Sequence, residues 1–150
     1  PEWDQLPNFD IYLDQLLDIT NQYIYPITGE KITKTMMHNY TKAEVIMRPD
    51  NKKYGRIHLA GAIIVSLLKS VFSLEMIKSG FKLELDHGPS QQVYDFFIKT
   101  FNDLYEQKDF TNMQEILSKS RPNAELVQIE ASLAVIFRFR AISTVKKITK

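Results

Sequence analysis

Hydrogen-bonding side chains without any acid occupy one face of a helix predicted for residues 33–44. On a wheel of about 100° per residue, this face holds Lys34, Thr35, His38, Asn39 and Lys42. Lysine neutralises phosphate, whereas amide and hydroxyl groups bond base edges in a DNA groove. The spacing predicts a recognition helix in the major groove. We expect base contacts from Thr35, His38 and Asn39, and phosphate contacts from Lys34 and Lys42.

Further basic residues follow directly in residues 45–56. The turn signal Pro49-Asp50-Asn51 lies between two short extended stretches and predicts a small β-hairpin. A basic hairpin beside a recognition helix can straddle the DNA backbone, as a wing does. The predicted phosphate contacts of this wing are Arg48, Lys52, Lys53, Tyr54 and Arg56. Tyr54 equally fits a role in closing the hairpin.

The charge of the chain is unevenly distributed. The net charge of all 150 residues is only +1. Residues 1–30 carry six acids and no lysine or arginine, whereas residues 31–56 carry seven basic residues and two acids. Such asymmetry indicates a local surface for a polyanion.

A simpler interpretation of the polar helix face stays open. Amphipathic surface helices commonly turn a polar side to water and contact nothing else. On the opposite side of the wheel, Met36, Met37 and Tyr40 have the positions of core residues. The sequence alone does not choose between a solvated face and a DNA-binding face.

Several other function classes find no support in the sequence. It contains no HExxH, P-loop, GxSxG or glycine-rich dinucleotide motif. The absence of cysteine excludes disulfides and thiolate metal sites. The longest apolar run, LAGAIIV, is well short of the roughly 20 residues of a membrane span, and no secretory signal is recognisable. We expect a cytoplasmic protein without catalytic residues, metal or cofactor.

The sequence predicts that the elements which position these residues are mainly helices. Glycine and proline are scarce, and apolar residues recur at helical spacing. Asn8 should cap the first helix, Thr33 the second and Ser73 the fourth, which Gly80 should end. The last helix, about 123–148, is apolar on nearly every side. We therefore expect an all-α fold with one small β-hairpin, and a homodimer through the C-terminal helices.

The segment also resembles a known family of DNA-binding domains. The winged helix-turn-helix of MerR-type transcription regulators shares a pattern of residues with three stretches of this chain: Thr33, Met37, His38, Tyr40, Lys42 and Val45; Tyr54 and Leu59; and residues 72–77. His38 stands where that family usually has an arginine, and Glu44 stands at its turn glycine. More closely, the stretches PNFDIYLDQLLD, ITKTMMHNYTKAEVI and KKYGRIHL resemble the bacterial domain-of-unknown-function family DUF1836.

These resemblances imply a domain organisation and a function. Residues 5–80 would form a MerR-like winged helix-turn-helix DNA-binding domain, and residues 81–150 a helical region for dimerisation or for an effector of unidentified chemistry. The protein would be a bacterial, sequence-specific regulator of transcription whose partner is double-stranded DNA. The alternative is a protein-interaction adaptor that keeps the scaffold without binding DNA. A third option, a small-ligand sensor, would use aromatic residues of the fifth helix, although core packing explains these residues as well.

Overall fold

The computed structural model describes residues 1–107, 109–119 and 121–149. Within these ranges the backbone forms a 3₁₀ turn at Trp3–Gln5 and no strand, and its α-helices are α1 (Leu13–Thr28), α2 (Lys34–Lys42), α3 (Arg56–Leu68), α4 (Leu74–His87), α5 (Ser90–Glu106), α6 (Met113–Ser118) and α7 (Asn123–Ile148). The all-α prediction is confirmed. Lys108, Ser120 and Lys150 of the predicted C-terminal region lie outside the described residues.

Helix α3 is the centre of the core. Nearly all of its side chains are buried, as expected from its apolar sequence. It packs against α1, α4 and α7, while α5 and α7 pack against each other. The amino terminus is fastened to α5, since the Trp3 N–H donates to Asp95 Oδ1 at 2.7 Å and the Tyr94 hydroxyl donates to the Pro1 carbonyl at 2.8 Å. One apolar cluster extends from Leu6 to Ile136.

Helix α4 continues through Gly80, where the sequence predicted its end. Its cap prediction is confirmed, because Ser73 Oγ accepts the Met76 N–H at 3.1 Å. A glycine in a helix costs about 1 kcal/mol relative to alanine, and Ile77 and Glu84, on either side of Gly80, are buried against the bundle. Burial therefore outweighs propensity. The domain division after residue 80 remains a prediction, and α4 crosses it without a break.

The first helix begins later than predicted. Asn8 is not its cap, because α1 starts at Leu13 and the Tyr12 N–H donates to Gln15 Oε1 at 2.9 Å. The residue before them, Ile11, is held extended by two backbone hydrogen bonds to Tyr54, of 2.9 and 2.8 Å. A pairing with a distant part of the chain therefore prevents this segment from joining the helix.

The β-hairpin predicted for residues 45–56 is wrong as a pair of strands, although its turn is present. The Lys53 N–H donates to the Asp50 carbonyl at 2.9 Å. Between them, Asn51 and Lys52 have φ values of 49° and 63°. Two central residues with positive φ characterise the type I′ turns that connect hairpin strands. The turn signal was correct, but the ladder does not extend beyond it.

His58 explains why the ladder stops. In a longer hairpin, the next hydrogen-bonded pair would be Arg48 and Gly55. Instead, the Gly55 N–H donates to His58 Nδ1 at 2.9 Å, and His58 Nε2 lies 3.1 Å from the Arg48 carbonyl oxygen. The buried imidazole, with its proton on Nε2, therefore bridges the two sides of the loop. Tyr54 meanwhile pairs with Ile11 rather than within the loop.

Helix α7 has two unlike halves. Its amino-terminal half contributes Ile129, Val135 and Ile136 to the core, whereas every residue from 141 to 149 is exposed. The bounds agree with those predicted. In the described part of the chain, no helix combines the length and the hydropathy of a membrane span.

Candidate nucleic-acid interface

The start of α2 is fixed by local signals in the sequence. Thr33 Oγ1 accepts the Met36 N–H at 3.2 Å, which confirms the predicted N-cap. Ile32 before the cap and Met37 in the first turns are both buried, at the positions of a hydrophobic staple. These contacts turn the apolar side of α2 inward and leave its polar side in water.

The end of α2 is a Schellman motif. The Val45 N–H donates to the Tyr40 carbonyl and the Glu44 N–H to the Thr41 carbonyl, both at 3.1 Å. Glu44 itself has a φ of 59°, the left-handed conformation that glycine usually supplies at this position. Tyr40 and Val45 are buried, as the motif's hydrophobic contact requires. Burial, with a smaller contribution from Glu30, raises the pKa of Tyr40 to about 12.

Asn21 of α1 holds the connection to α2. Its Oδ1 accepts the Ile32 N–H at 2.7 Å, and its Nδ2 donates to the Ile32 carbonyl at 3.1 Å. Both backbone groups of Ile32, next to the N-cap, are thereby satisfied by one side chain. Asn21 therefore sets where α2 begins relative to α1.

A cationic groove runs between α2, the loop after it and the start of α1. Its volume is about 930 Å³ and its lining residues are Tyr12, Leu13, Asp14, Lys34, His38, Thr41, Lys42, Arg48, Pro49, Lys52 and Tyr54. Residues from three separate stretches thus meet on one face of the molecule. Four of them are lysine or arginine, and all four of these are exposed.

Most of the predicted contact residues lie in or beside this groove. Lys34, His38, Lys42, Arg48, Lys52 and Tyr54 line it. Thr35 and Asn39, the other predicted base contacts, are exposed on α2 outside its lining, and Lys53 is exposed in the turn. The outer face of α2 and the groove therefore form adjoining parts of one polar surface.

Arg56 faces away from the groove and toward the amino terminus. Its Nε donates to the Leu6 carbonyl at 3.1 Å, and Nη1 lies 3.8 Å from Asp4 Oδ1. Because these contacts occupy the guanidinium and Arg56 does not line the groove, we do not count it among the phosphate contacts of the groove. Its position at the start of α3 instead fastens residues 4–6 to the core.

Tyr54 lines the groove but is a packing residue. Only 4% of its surface is exposed, and its ring stands edge-on to the His58 ring with the centroids 5.4 Å apart. Burial raises the pKa of the Tyr54 hydroxyl. Its backbone pairing with Ile11 fixes the wall of the groove, so Tyr54 does not close a hairpin within residues 45–56, the other role that the sequence suggested.

Five residues that line the groove were not predicted from the sequence. Thr41 lies next to Lys34 on the helix wheel and was accessible to the same reasoning. Pro49 belongs to the turn signal. Tyr12, Leu13 and Asp14 come to the groove through the pairing of Ile11 with Tyr54, for which no short-range signal exists in the sequence.

The charge balance of the groove is positive. Among the described residues, none of its four lysine and arginine side chains takes part in an ion pair. Asp14 is the acid in its lining. Glu44, which the sequence places near the groove, lies with its Oε2 3.3 Å from Lys78 Nζ. Uncompensated cations on an open surface attract anions over about a Debye length, an effect that salt screens.

No cluster of three or more histidine, aspartate or glutamate side chains suited to a metal occurs within residues 1–107, 109–119 and 121–149. The predicted site residues instead carry hydrogen-bond donors and positively charged groups.

Comparison with known protein families gives a match over most of the chain. The model of one protein family, Domain of unknown function (DUF1836), matches residues 1–107. The match spans the groove and the helices from α1 to α5. No curated protein and no solved structure matches the chain.

Proposed function

The chain belongs to the family Domain of unknown function (DUF1836), and we propose that it is a sequence-specific DNA-binding regulator of transcription. It is a bacterial, cytoplasmic protein and not an enzyme. The observation that carries this proposal is the cationic groove, in which Lys34, Lys42, Arg48 and Lys52 are exposed and without carboxylate partners in the described structure. Duplex DNA is the polyanion with the charge density to match such a surface.

The placement of α2 supports a docking mode. Its exposed face carries Thr35, His38 and Asn39, whose side chains have the donors and acceptors needed at base edges. With α2 in the major groove, the groove cations meet the adjoining phosphates. The tight turn at residues 50–53 then takes the place of a stranded wing. The sequence of α1, short connection, α2 and basic loop is consistent with the MerR-like pattern.

A homodimer belongs to the same proposal. The exposed half of α7 carries Ile142, Val145 and Ile148, which are 36%, 58% and 76% exposed. A second copy would cover these side chains and would place two α2 helices on two DNA half-sites. Light scattering should give twice the mass of one chain, and Val145→Asp should return the mass to that of one chain. If the wild type is a monomer, the homodimer is refuted but DNA binding is not.

Selection of DNA from fragmented genomic DNA of the source organism tests the function. Wild-type protein should retain fragments that share a short sequence, and Asn39→Ala should weaken binding to that sequence by about 1–3 kcal/mol. The same variant should bind unrelated duplexes as the wild type does. Failure to retain any fragment at low salt would overturn the proposal.

The adaptor function remains the second candidate because of aromatic exposure near the groove. Tyr12 in its lining and Phe9 close by in the sequence are 60% and 65% exposed. Exposed aromatic residues with adjacent cations also suit an acidic protein partner. Recovery of one protein in stoichiometric amount, unchanged after nuclease treatment and lost in Tyr12→Ala, would favour the adaptor. Loss of the partner after nuclease would favour DNA.

A further inference from the structure

An apolar cleft lies apart from the cationic groove, with which it shares no lining residue. It is formed by α3, α4, α5 and α7 and has a volume of about 380 Å³. Leu68, Phe72, Phe81, Phe97 and Ala131 are among its lining residues. An apolar cavity of about 150 Å³ already binds benzene, and small-molecule sites begin at about 300 Å³. The cleft therefore has room for a molecule larger than one aromatic ring.

Three polar side chains line this apolar cleft: Glu84 and Gln128, which are buried, and Glu130, which is exposed at its edge. Gln128 Nε2 donates to Glu84 Oε2 at 2.7 Å. Only 7% of Glu84 and 5% of Gln128 is exposed. The other carboxyl oxygen of Glu84, Oε1, and the amide oxygen of Gln128, Oε1, are buried and have no hydrogen-bond partner in the described structure. Buried acceptors of this kind ordinarily have partners, and leaving one without a partner costs about 1–3 kcal/mol.

The chemistry of these two atoms restricts the ligand. Both are acceptors, so the group that meets them must donate hydrogen bonds. No lysine or arginine forms an ion pair with Glu84 in the described part of the chain, and a cationic donor would supply the missing charge. The surrounding wall is apolar, so the remainder of the ligand must be apolar as well.

We propose that this cleft binds a small organic amine, with its ammonium group on Glu84 and Gln128 and its apolar body among the aromatic side chains. The inference does not require DNA binding. Burial raises the pKa of Glu84 although Gln128 and His87 lower it, because the buried carboxylate lacks enough partners to replace its lost water. A bound ammonium would favour the ionised carboxylate.

Calorimetry with matched probes tests this inference without nucleic acid. Tryptamine, hexylamine and octylamine would each be compared with the alcohol and the carboxylate of the same apolar body. At least one amine should bind about ten-fold or more tightly than its alcohol, because a hydrogen bond to a charged group is worth about 1.5–3 kcal/mol. The carboxylates should bind most weakly. If no amine exceeds its alcohol and its carboxylate, the proposal is refuted.

Two variants locate the binding. Glu84→Gln keeps the shape of the site, so the preference for an amine over its alcohol should disappear while the apolar body still binds. Gly80→Leu should abolish binding of all probes, because Gly80 lines the cleft and a β-carbon there would meet no atom within 4 Å. Leucine also favours the helix over glycine. Gly80→Ala is the matched control and should keep binding. Unchanged amine affinity in both Glu84→Gln and Gly80→Leu would place the amine elsewhere and overturn the assignment.

Discussion

The cationic groove and the apolar cleft use charge in opposite ways. In the groove, four basic side chains are exposed and lie near the single acid Asp14. In the cleft, the buried carboxyl group of Glu84 has one amide as its partner, while the lining is otherwise apolar except for the exposed Glu130. Because of this difference, we expect salt and charge substitutions to act on the groove and pH to act on the cleft.

The reason for that difference is solvation. An exposed lysine keeps its water and contributes little to folding, so that removing it changes stability by less than about 0.5 kcal/mol. A buried carboxylate has lost its water and destabilises the folded state unless partners replace it. Substitutions in the groove should therefore alter DNA binding and leave stability unchanged, whereas substitutions at Glu84 should alter stability and leave DNA binding unchanged.

The largest expected effect comes from removing the groove cations together. Replacement of Lys34, Lys42, Arg48 and Lys52 by alanine should weaken binding to any duplex by at least about a hundred-fold at low salt, because the phosphate contacts are lost. Fluorescence anisotropy measures the affinity, and thermal unfolding should give nearly the same midpoint as the wild type.

A control with equal net charge sharpens this test. The exposed residues Lys31, Lys82, Lys99 and Lys119 lie outside the groove and outside the exposed half of α7, and their replacement by alanine should retain most of the affinity. Equal losses in the two quadruple variants would mean that overall charge, rather than the groove, holds the DNA.

Asn21→Ala should have the next largest effect, this time on stability. It leaves the N–H and carbonyl of Ile32 without their partner, at a cost of about 1–3 kcal/mol. Urea unfolding followed by circular dichroism measures the free energy. Asn39→Ala, at an exposed position of α2, is the control and should be nearly neutral. If both variants unfold alike, Asn21 does not hold α2.

Glu84→Gln should change the pH dependence of stability. Because burial raises the pKa of Glu84, the folded protein retains that proton at pH values where the unfolded chain has lost it. Wild-type stability should therefore fall as pH rises from the ordinary glutamate pKa through the raised one. The variant lacks this loss, so it should match the wild type at low pH and exceed it at neutral pH. Urea unfolding at several pH values measures the free energy of unfolding. If it changes with pH in the same way for wild type and variant, the pKa of Glu84 is not raised in the folded protein.

The smallest effect is expected from Glu44→Gly. Glycine removes the cost of a left-handed conformation, about 1 kcal/mol, and the exposed contact with Lys78 that is lost is worth less than about 1 kcal/mol. Stability should rise slightly and DNA affinity should improve modestly. Glu44→Gln is the control, since it removes the charge and keeps the strained backbone. If Glu44→Gln gained as much stability as Glu44→Gly, the charge of Glu44 rather than its backbone conformation would determine stability at this position.

Local signals in the sequence predicted much of α2 and its surroundings. Thr33, Ile32 and Met37 form the expected cap and staple, and the basic face lies in water. The turn at Asn51 was also foreseen. Each of these features depends on residues only a few positions apart, which is why propensity and spacing sufficed.

Features that depend on distant residues were not predictable. The pairing of Ile11 with Tyr54 moves the start of α1 and brings Asp14 to the groove. A side chain, His58, replaces the backbone ladder of the expected hairpin. Gly80 stays helical because burial on both sides of it outweighs its low propensity. In each case tertiary contacts overrode the local preference.

The salt dependence of duplex binding tests the central claim most directly. If the four groove cations each neutralise one phosphate, the logarithm of the affinity should fall against the logarithm of the salt concentration with a slope of about −3.6 per protomer. The quadruple groove variant should give a slope near zero, and the four-lysine control should keep the wild-type slope. A wild-type affinity that does not change with salt, or equal slopes for wild type and groove variant, would contradict the account.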